Sequence, residues 1–374
     1  MKIREIDLNS KKDVKKYVAF PFQLYKENKF WVPPFVQSAK NQLDPDIHPY
    51  YLHSDANFFI VEDKSGKVLG RIGLFENNRY NKTNNINCGL FSHFDVINDK
   101  GVSNILFEKA FEWGGKRNLE YLIGPKGMIS ADVDGILVEG FDHRSAMGAP
   151  YNYPYYQDFI ESIGFQKERD VLSGYIHIPS VKIPDRIIRI SERIKKQRGF
   201  WVKQAKNKEE MREMVPEFIH LMNKVFEDGF GFYPYTEEEF YYVAEDIIAI
   251  CDPELVKVVM KGEKMIGFLI AYHDISKGMQ KARGRMWPFG WLYLLIDRKR
   301  TKWINVNGLG VLPEYQGLGG NAVLYAEMAN TVLSHGFEYA ETVSVGEENY
   351  RSFSDNITFG VTWYKRHRLY KCGV

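Results

Sequence analysis

Between Val311 and Met328 the sequence reads VLPEYQGLGGNAVLYAEM: an apolar, strand-like run ends at Pro313, a glycine-rich turn follows, and a helical pattern starts at once. The backbone N–H groups of Gln316, Gly317, Leu318, Gly319 and Gly320 are expected to point out of such a turn, at the positive end of the helix dipole. That geometry suits a diphosphate. Glycine is needed because a side chain would hold the phosphates away from the backbone, and because these turns visit positive φ.

Three phosphate-binding patterns compete for this stretch. A P-loop requires GxxxxGK[ST], and no lysine follows the glycines. Gly317, Gly319 and Ala322 satisfy the dinucleotide pattern G-x-G-x-x-A, with Glu338 or Glu341 about 20 residues further on, but PEYQ separates strand from glycines and only about 50 residues remain for a parallel sheet. The third pattern fits best. The region resembles the acyl-coenzyme A loop of the GNAT acetyltransferases, V-x-P-x-x-[QR]-x-x-G-x-[GA], at Val311, Pro313, Gln316 and Gly319, with Asn321 in the final small position. A second GNAT pattern, N-x-x-[AS]-x-x-x-Y-x-x-x-G-[FV], is resembled at Asn349, Ser352, Gly360 and Val361.

The resemblance implies acetyl-CoA or another acyl-CoA as co-substrate, with no metal, held by Leu309, Val311, Gln316, Gly317, Leu318, Gly319, Gly320, Asn321 and Asn349. It also implies direct attack of an amine on the thioester, the carbonyl oxygen being held by a strand N–H. Gly308 and Gly310 inside WINVNGLGV (303–311) weaken that segment as a strand, so either a bulge frees the N–H of Leu309 or Gly310 for the oxyanion, or the strand is merely loose. Asn356 stands where the family places its acidic tyrosine, and an amide cannot protonate a thiolate. Tyr350, Tyr364 and Tyr370 lie nearby in sequence, and Tyr370 is the candidate taken as catalytic. Asp274 and Glu341 are the candidate bases, and Asp132, Asp134 and Tyr153 the candidate acceptor-binding residues.

The elements that must position these residues form a repeat. FFIVEDKSGKVLGRIGLF (58–75) and LVKVVMKGEKMIGFLIAY (255–272) each read as strand, polar turn, strand, with Gly70 and Gly267 in register at an offset of 197. YYQDFIESIGF (155–165) and NYRSFSDNITFGV (349–361) each read as a short helix stopped by glycine, then a strand. The expected class is therefore α/β in the α+β sense, two tandem GNAT-like domains with mostly antiparallel sheets flanked by helices. An N-terminal domain spans 1–178, a connector 179–199 and a coenzyme-binding C-terminal domain 200–374. NDKGVSN (98–104), the first-half counterpart of the glycine turn, has one glycine and an aspartate, so that half is expected to bind no coenzyme. The connector's charge run reads as a solvated face.

Each half carries an insertion, at roughly 126–153 and 274–302. The first, with its aspartates and the aromatic run APYNYPYYQDF (149–159), reads as a wall of an acceptor pocket. The second, RGRMWPFGWLYLLIDRKRTKW (283–303), reads either as packing between the halves or as contact with a membrane surface or long-chain substrate, its apolar run 286–296 being too short to span a bilayer.

A formal charge of +2 with both signs interspersed leaves no electrostatic footprint for nucleic acid. Cys88, Cys251 and Cys372 form no CxxC pair, which fits reduced thiols in a cytoplasm, and neither a signal-like nor a membrane-spanning segment is visible. The reading is an N-acyltransferase, most simply an N-acetyltransferase, for a small-molecule or lipid amine. The rivals are a long-chain N-acyltransferase, a silent acyl-CoA-binding protein and, last, a dinucleotide-binding protein. Gly319→Glu is expected to abolish CoA binding while leaving the fold intact; unchanged affinity in a titration would count heavily against this site.

Overall fold

The computed structural model describes residues 1–374 except 131, 133 and 182–184. In the first half the order is β1 (Lys2–Glu5), α1 (Lys11–Leu24), α2 (Val36–Asn41), β2 (Asp55–Glu62), β3 (Val68–Glu76), α3 (Asn78–Asn84), β4 (Cys88–Val96), α4 (Lys100–Lys116), β5 (Tyr121–Gly124), β6 (Ile136–Glu139), α5 (Tyr155–Ser162) and β7 (Gln166–His177). A linking helix α6 (Asp185–Arg198) leads to β8 (Phe200–Lys203), α7 (Lys208–Val225), α8 (Glu237–Ile250), β9 (Val256–Lys261), β10 (Lys264–His273), α9 (Ser276–Ala282) and α10 (Gly290–Arg300). The chain closes with β11 (Trp303–Val311), α11 (Gly320–Ser334), β12 (Tyr339–Gly346), α12 (Tyr350–Thr358) and β13 (Thr362–Gly373).

The repeat read from the sequence is a repeat in space. Gly70 of β3 faces Val61 of β2, and Gly267 of β10 faces Val259 of β9. Both glycines make room for what crosses them. A Cβ at Gly70 would lie 2.9 Å from Val102 on α4, and one at Gly267 would lie 2.7 Å from the carbonyl oxygen of Gly310 on β11. The β4–β5 and β11–β12 pairs are parallel, and the other recorded strand pairs are antiparallel.

All the strands form one sheet, ordered β1-β2-β3-β4-β5-β13-β7-β12-β11-β10-β9-β8, with β6 also on β13. The last strand of each half is thus exchanged. β13 pairs with β5 of the first half, and β7 pairs with β12 of the second. Leu369 and Tyr370 of β13 accordingly belong to first-half apolar clusters. The exchanged strands also hold each other: the buried carboxylate of Asp170 on β7 accepts from Arg368 Nε at 2.8 Å and Nη2 at 3.0 Å on β13. The short strand β6 was not expected from sequence. It continues alongside β13 at 366–368, where the four-residue β5 has ended.

Helix signals in the sequence do their ordinary work. Thr236 caps α8 and Glu239 bonds back to the Thr236 N–H, forming a capping box. The same Glu239 carboxylate accepts from Tyr233 Oη at 2.9 Å and contacts His53 Nε2 of the first half at 3.0 Å. One side chain therefore starts a helix, orders the loop before it and joins the halves.

Because β13 completes the first-half core, removal of residues 362–374 is expected to unfold more than the second half. Losing one buried Leu costs about 2–5 kcal/mol against a total stability of about 5–15 kcal/mol. The full chain should melt in one calorimetric transition and the truncated chain should lose the near-UV signal of both halves; two separate transitions in the full chain would contradict this coupling.

Candidate active site

β11 and β12 lie side by side only at their beginnings, Trp303–Val306 against Tyr339–Thr342. Beyond that point β11 stays with β10 as far as Val311, while β12 shifts register, with Ser344 at φ 57°, and follows β7. The two strands part, and alternate amides of 307–311 face the gap with no strand across from them. A bulge does interrupt β11, at Asn307, one residue before Gly308. The glycines have a packing reason as well: a Cβ at Gly310 would sit 2.1 Å from Val225 of α7, and one at Gly308 would sit 3.2 Å from the Phe268 ring.

At the end of β11 the loop is drawn tight by Tyr315 N–H to Leu312 O at 2.8 Å and by Gln316 Nε2 to Val311 O at 3.2 Å. Gly317 and Gly319 have φ of 72° and 94°. Two of the five amides expected to face an anion are already used, Gln316 N–H on Pro313 O at 3.2 Å and Leu318 N–H on Tyr315 O at 3.3 Å. The amides left open therefore lie one step further along. The N–H groups of Gly317, Gly319, Gly320, Asn321 and Ala322 have no acceptor among the described residues, and the last four form the start of α11. Converging amides at a helix N-terminus, with no Cβ on the first two, fit a diphosphate.

The corresponding helix start in the first half is capped differently. Asp99 caps α4 and its carboxylate accepts the Gly101 N–H at 2.8 Å, so its own negative charge stands where a phosphate would.

The connector is not only a solvated face. α6 lies along α11, with Lys195 bonded to Glu327 at 2.6 Å, and its apolar edge turns inward. A Cβ at Gly319 would meet Ile194 Cγ1 at 2.7 Å, so the glycine is required by the connector as much as by the loop. The expectation that Gly319→Glu spares the fold is therefore amended: such a side chain needs both a left-handed backbone and the displacement of Ile194.

Loop, parted strands and connector open on one cleft of about 2120 Å³. Its second-half wall is apolar, with Met211, Met214, Phe218, Phe240 and Phe268; Ile187, Ile190 and Arg193 come from α6, and Lys126, Asp132, Asp134 and Arg169 from the first half. Leu309, Val311, Gln316, Gly317, Leu318, Gly319, Gly320, Asn321 and Asn349 all line it, so the residues singled out for the coenzyme come together. Asn349 caps α12 through the Ser352 N–H at 3.0 Å, and Asn321 Nδ2 bonds Asp355 at 3.2 Å, tying α11 to α12.

The residues singled out for chemistry divide. Asp132 and Asp134 line the cleft. Burial pushes the Asp132 carboxyl up to about 6, with Oδ2 accepting the Ile129 N–H at 3.2 Å. Asp134 Oδ2 takes Lys126 Nζ at 2.9 Å, while its Oδ1 is buried with no donor among the described residues. Glu341 and Asp274 do not reach the cleft wall. They meet instead in a buried polar nest, Glu341 accepting from Tyr364 Oη at 2.6 Å and Lys365 Nζ at 2.8 Å, and Asp274 from Arg144 at 2.5 Å. Asn305, opposite Glu341 in the sheet, is buried with both side-chain polar atoms unpaired among the described residues.

Tyr370 and Tyr153 are elsewhere. The Tyr370 hydroxyl donates to Glu161 at 2.8 Å inside the first half, because β13 has crossed there, and Tyr153 stacks on Tyr155 and bonds Leu24 O at 3.3 Å. Of the other two phenols, Tyr350 is exposed and Tyr364 is held in the nest. Asn356 does line the cleft, bonded to Ser352 Oγ at 3.3 Å. Sequence reasoning missed Ile194, Arg193 and Asp355; of these, only the connector's amphipathic spacing carried a signal. The dinucleotide reading fails on topology, since α11 leads to a single parallel neighbour and then to antiparallel strands.

No family model matches the chain. It is 24% identical over 372 residues to Protein YghO of Escherichia coli, covering 97% of this chain and 93% of that one. It is also 24% identical over 376 residues to a bacterial ceramide synthase of Caulobacter vibrioides, covering 98% and 96%. Among solved structures, a tandem GNAT protein from the clavulanic acid biosynthesis pathway superposes with a TM-score of 0.55 at 11% identity, over 100% of this chain and 98% of that one. In class, the protein has the tandem GNAT fold.

Ala322 tests the anion seat without the strain at Gly319. It stands in the first turn of α11, where a carboxylate favours the helix but repels a diphosphate. Ala322→Glu is expected to leave the melting temperature unchanged or slightly raised while weakening CoA roughly tenfold or more in a calorimetric titration; equal affinity would remove the seat from this helix end.

Proposed function

We propose that the protein is an acyl-CoA-dependent N-acyltransferase whose substrates include a long aliphatic chain. The observation that carries this reading is the continuity of one cleft, from the amides of Gly319 to Ala322, which have no acceptor among the described residues, past the parted β11 and β12, to an apolar wall of methionine and phenylalanine. Its volume of about 2120 Å³ is above the roughly 300–1,000 Å³ of ordinary small-molecule pockets. An acetyl group and a small amine would leave most of it to water against apolar surface. The likeness to a bacterial ceramide synthase, 24% identical, supports the same substrate class.

In this reaction the amine nitrogen attacks the thioester carbonyl carbon. A C–N bond forms while the carbonyl electron pair moves onto oxygen, held by an amide of β11 in the gap beside Leu309. Collapse of that intermediate breaks the C–S bond, the thiolate leaves, and the nitrogen gives up a proton. Asp132 is the carboxylate we assign to receive that proton, because it lines the cleft and its affinity is drawn toward the working pH. Asp134, with one oxygen lacking a donor among the described residues, is assigned to hold the incoming ammonium or hydroxyl head. Glu341 and Asp274 keep a supporting role, since their oxygens are engaged in the nest.

Asp132→Asn should lower kcat by about 10²–10⁴ while thermal stabilisation by CoA persists. A base must be deprotonated to act, so wild-type kcat/KM is expected to fall as the pH drops through about 6. Thiol release should be measured across acyl-CoA chain lengths and amines, including a long-chain amino alcohol. A long-chain pair is expected to turn over at least about tenfold better than acetyl-CoA with a small amine. The reverse order would return the protein to acetyl transfer, and CoA binding without thiol release from any pair would make it a binding protein.

A further inference from the structure

Between β10 and β11 the chain leaves the sheet for α9 and α10, a hairpin that exposes large apolar side chains. Trp287 is 80% exposed and Phe289 68%, and Trp291, Leu292, Leu295 and Ile296 are exposed beside them. On α10 only Gly290 and Leu294 are buried. The expectation that this run packs between the halves is thus overturned for all but those two. A contiguous apolar patch of this kind marks a contact surface.

What could cover it is limited by charge. From 281 to 302 the sequence carries Lys281, Arg283, Arg285, Arg298, Lys299, Arg300 and Lys302 against one acid, Asp297. That carboxylate is already bonded to the Gly278 N–H at 2.6 Å, and among the described residues the bases of this segment are ion-paired at Arg298 with Asp252, 3.1 Å, and Lys302 with Glu338, 4.0 Å. A second copy meeting this patch about a two-fold axis would bring the same cations together. An anionic surface with an apolar interior would not. Tryptophan and phenylalanine rimmed by arginine and lysine is the composition that lies at a headgroup boundary.

The hairpin is also held rigid. Gln280 Nε2 bonds the carbonyls of Lys29 and Trp31, each at 2.9 Å, and Val36 N–H bonds Gly284 O at 2.8 Å. Val32, Ile275, Met279 and Leu294 form a small core beneath it. No described helix is long and apolar enough to cross a membrane, so any contact is interfacial. Its ends join Asp274 and Trp303, at the closed end of the gap between β11 and β12, away from the anion seat.

We propose that the α9–α10 hairpin docks the protein on a bilayer surface bearing anionic lipid, with Trp287 and Phe289 inserted among the headgroups. Docking would bring the protein to a membrane-borne amine or acyl chain, which is how it bears on the proposed function without depending on it.

Vesicle flotation tests this on the full chain with no CoA compound present, so its failure leaves the acyl-transfer reading standing. Wild-type protein should float with phosphatidylcholine vesicles containing about a quarter phosphatidylglycerol, and less at raised salt. The double variant Trp287→Ser, Phe289→Ser should bind roughly tenfold or more weakly with an unchanged melting temperature, since both side chains are exposed. Lys299→Glu with Arg300→Glu should weaken the anionic-vesicle contact alone. Failure of the wild type to float, or equal flotation of the double variant, would overturn the proposal. So would a concentration-dependent dimer in light scattering that Trp287→Ser dissolves without any flotation, which would assign the patch to a second copy.

Discussion

The structure turns on the divergence of two parallel strands. β11 and β12 share only four residues each, then separate because β11 remains bound to β10 while β12 follows β7. A strand with one open edge in a protein interior leaves amides that must be met by something polar. Here the open edge runs from a helix end whose first amides also lack acceptors among the described residues, so a line of donors extends along the cleft. The loop glycines, the bulge at Asn307 and the small residues beneath α7 all follow from keeping that line accessible.

The strand exchange explains why the divergence is stable. β7 is the neighbour that β12 keeps along its length after β11 has left, and β13 fills the place beside β5. Neither half has a complete sheet on its own. The buried carboxylate of Asp170, bonded by Arg368 from the exchanged partner, fastens the crossing where a mismatch in register would be costliest. The cleft between the halves is thus a consequence of topology, and its two walls differ in chemistry: acids and a lysine from the first half, aliphatic and aromatic side chains from the second.

The electrostatics of the two helix ends separate the halves further. In α4 the cap is an aspartate whose carboxylate takes the Gly101 amide, while in α11 the cap is a glycine with no side chain to take one. An insertion placed between β10 and β11 then adds a cationic, apolar surface at the opposite end of the site from the anion seat. In the proposed reaction these three features select a charged coenzyme, a single working half and an aliphatic partner.

Much of this was legible in the order of residues. Strand β11 matches 303–311 to the residue, the turn and start of α11 follow from Pro313 and the glycines, and the register of Gly70 with Gly267 carried the repeat. These are local signals: backbone freedom, missing N–H groups and alternation act within a few residues. Tyr370 shows where locality ends. Six residues after Tyr364 in the same strand, it is carried into the other half by the exchange, whereas Tyr364 stays beside Glu341. Glu341 and Asp274, read as candidate bases, lie in a nest off the cleft wall, and Ile194 reached Gly319 from a helix whose charge run read as solvated. By itself, then, the sequence determined most of the elements and their repeat. Which side chains face the cleft was decided only in three dimensions, because strand order and helix packing are set by the burial of surfaces distant along the chain, and no local spacing records them.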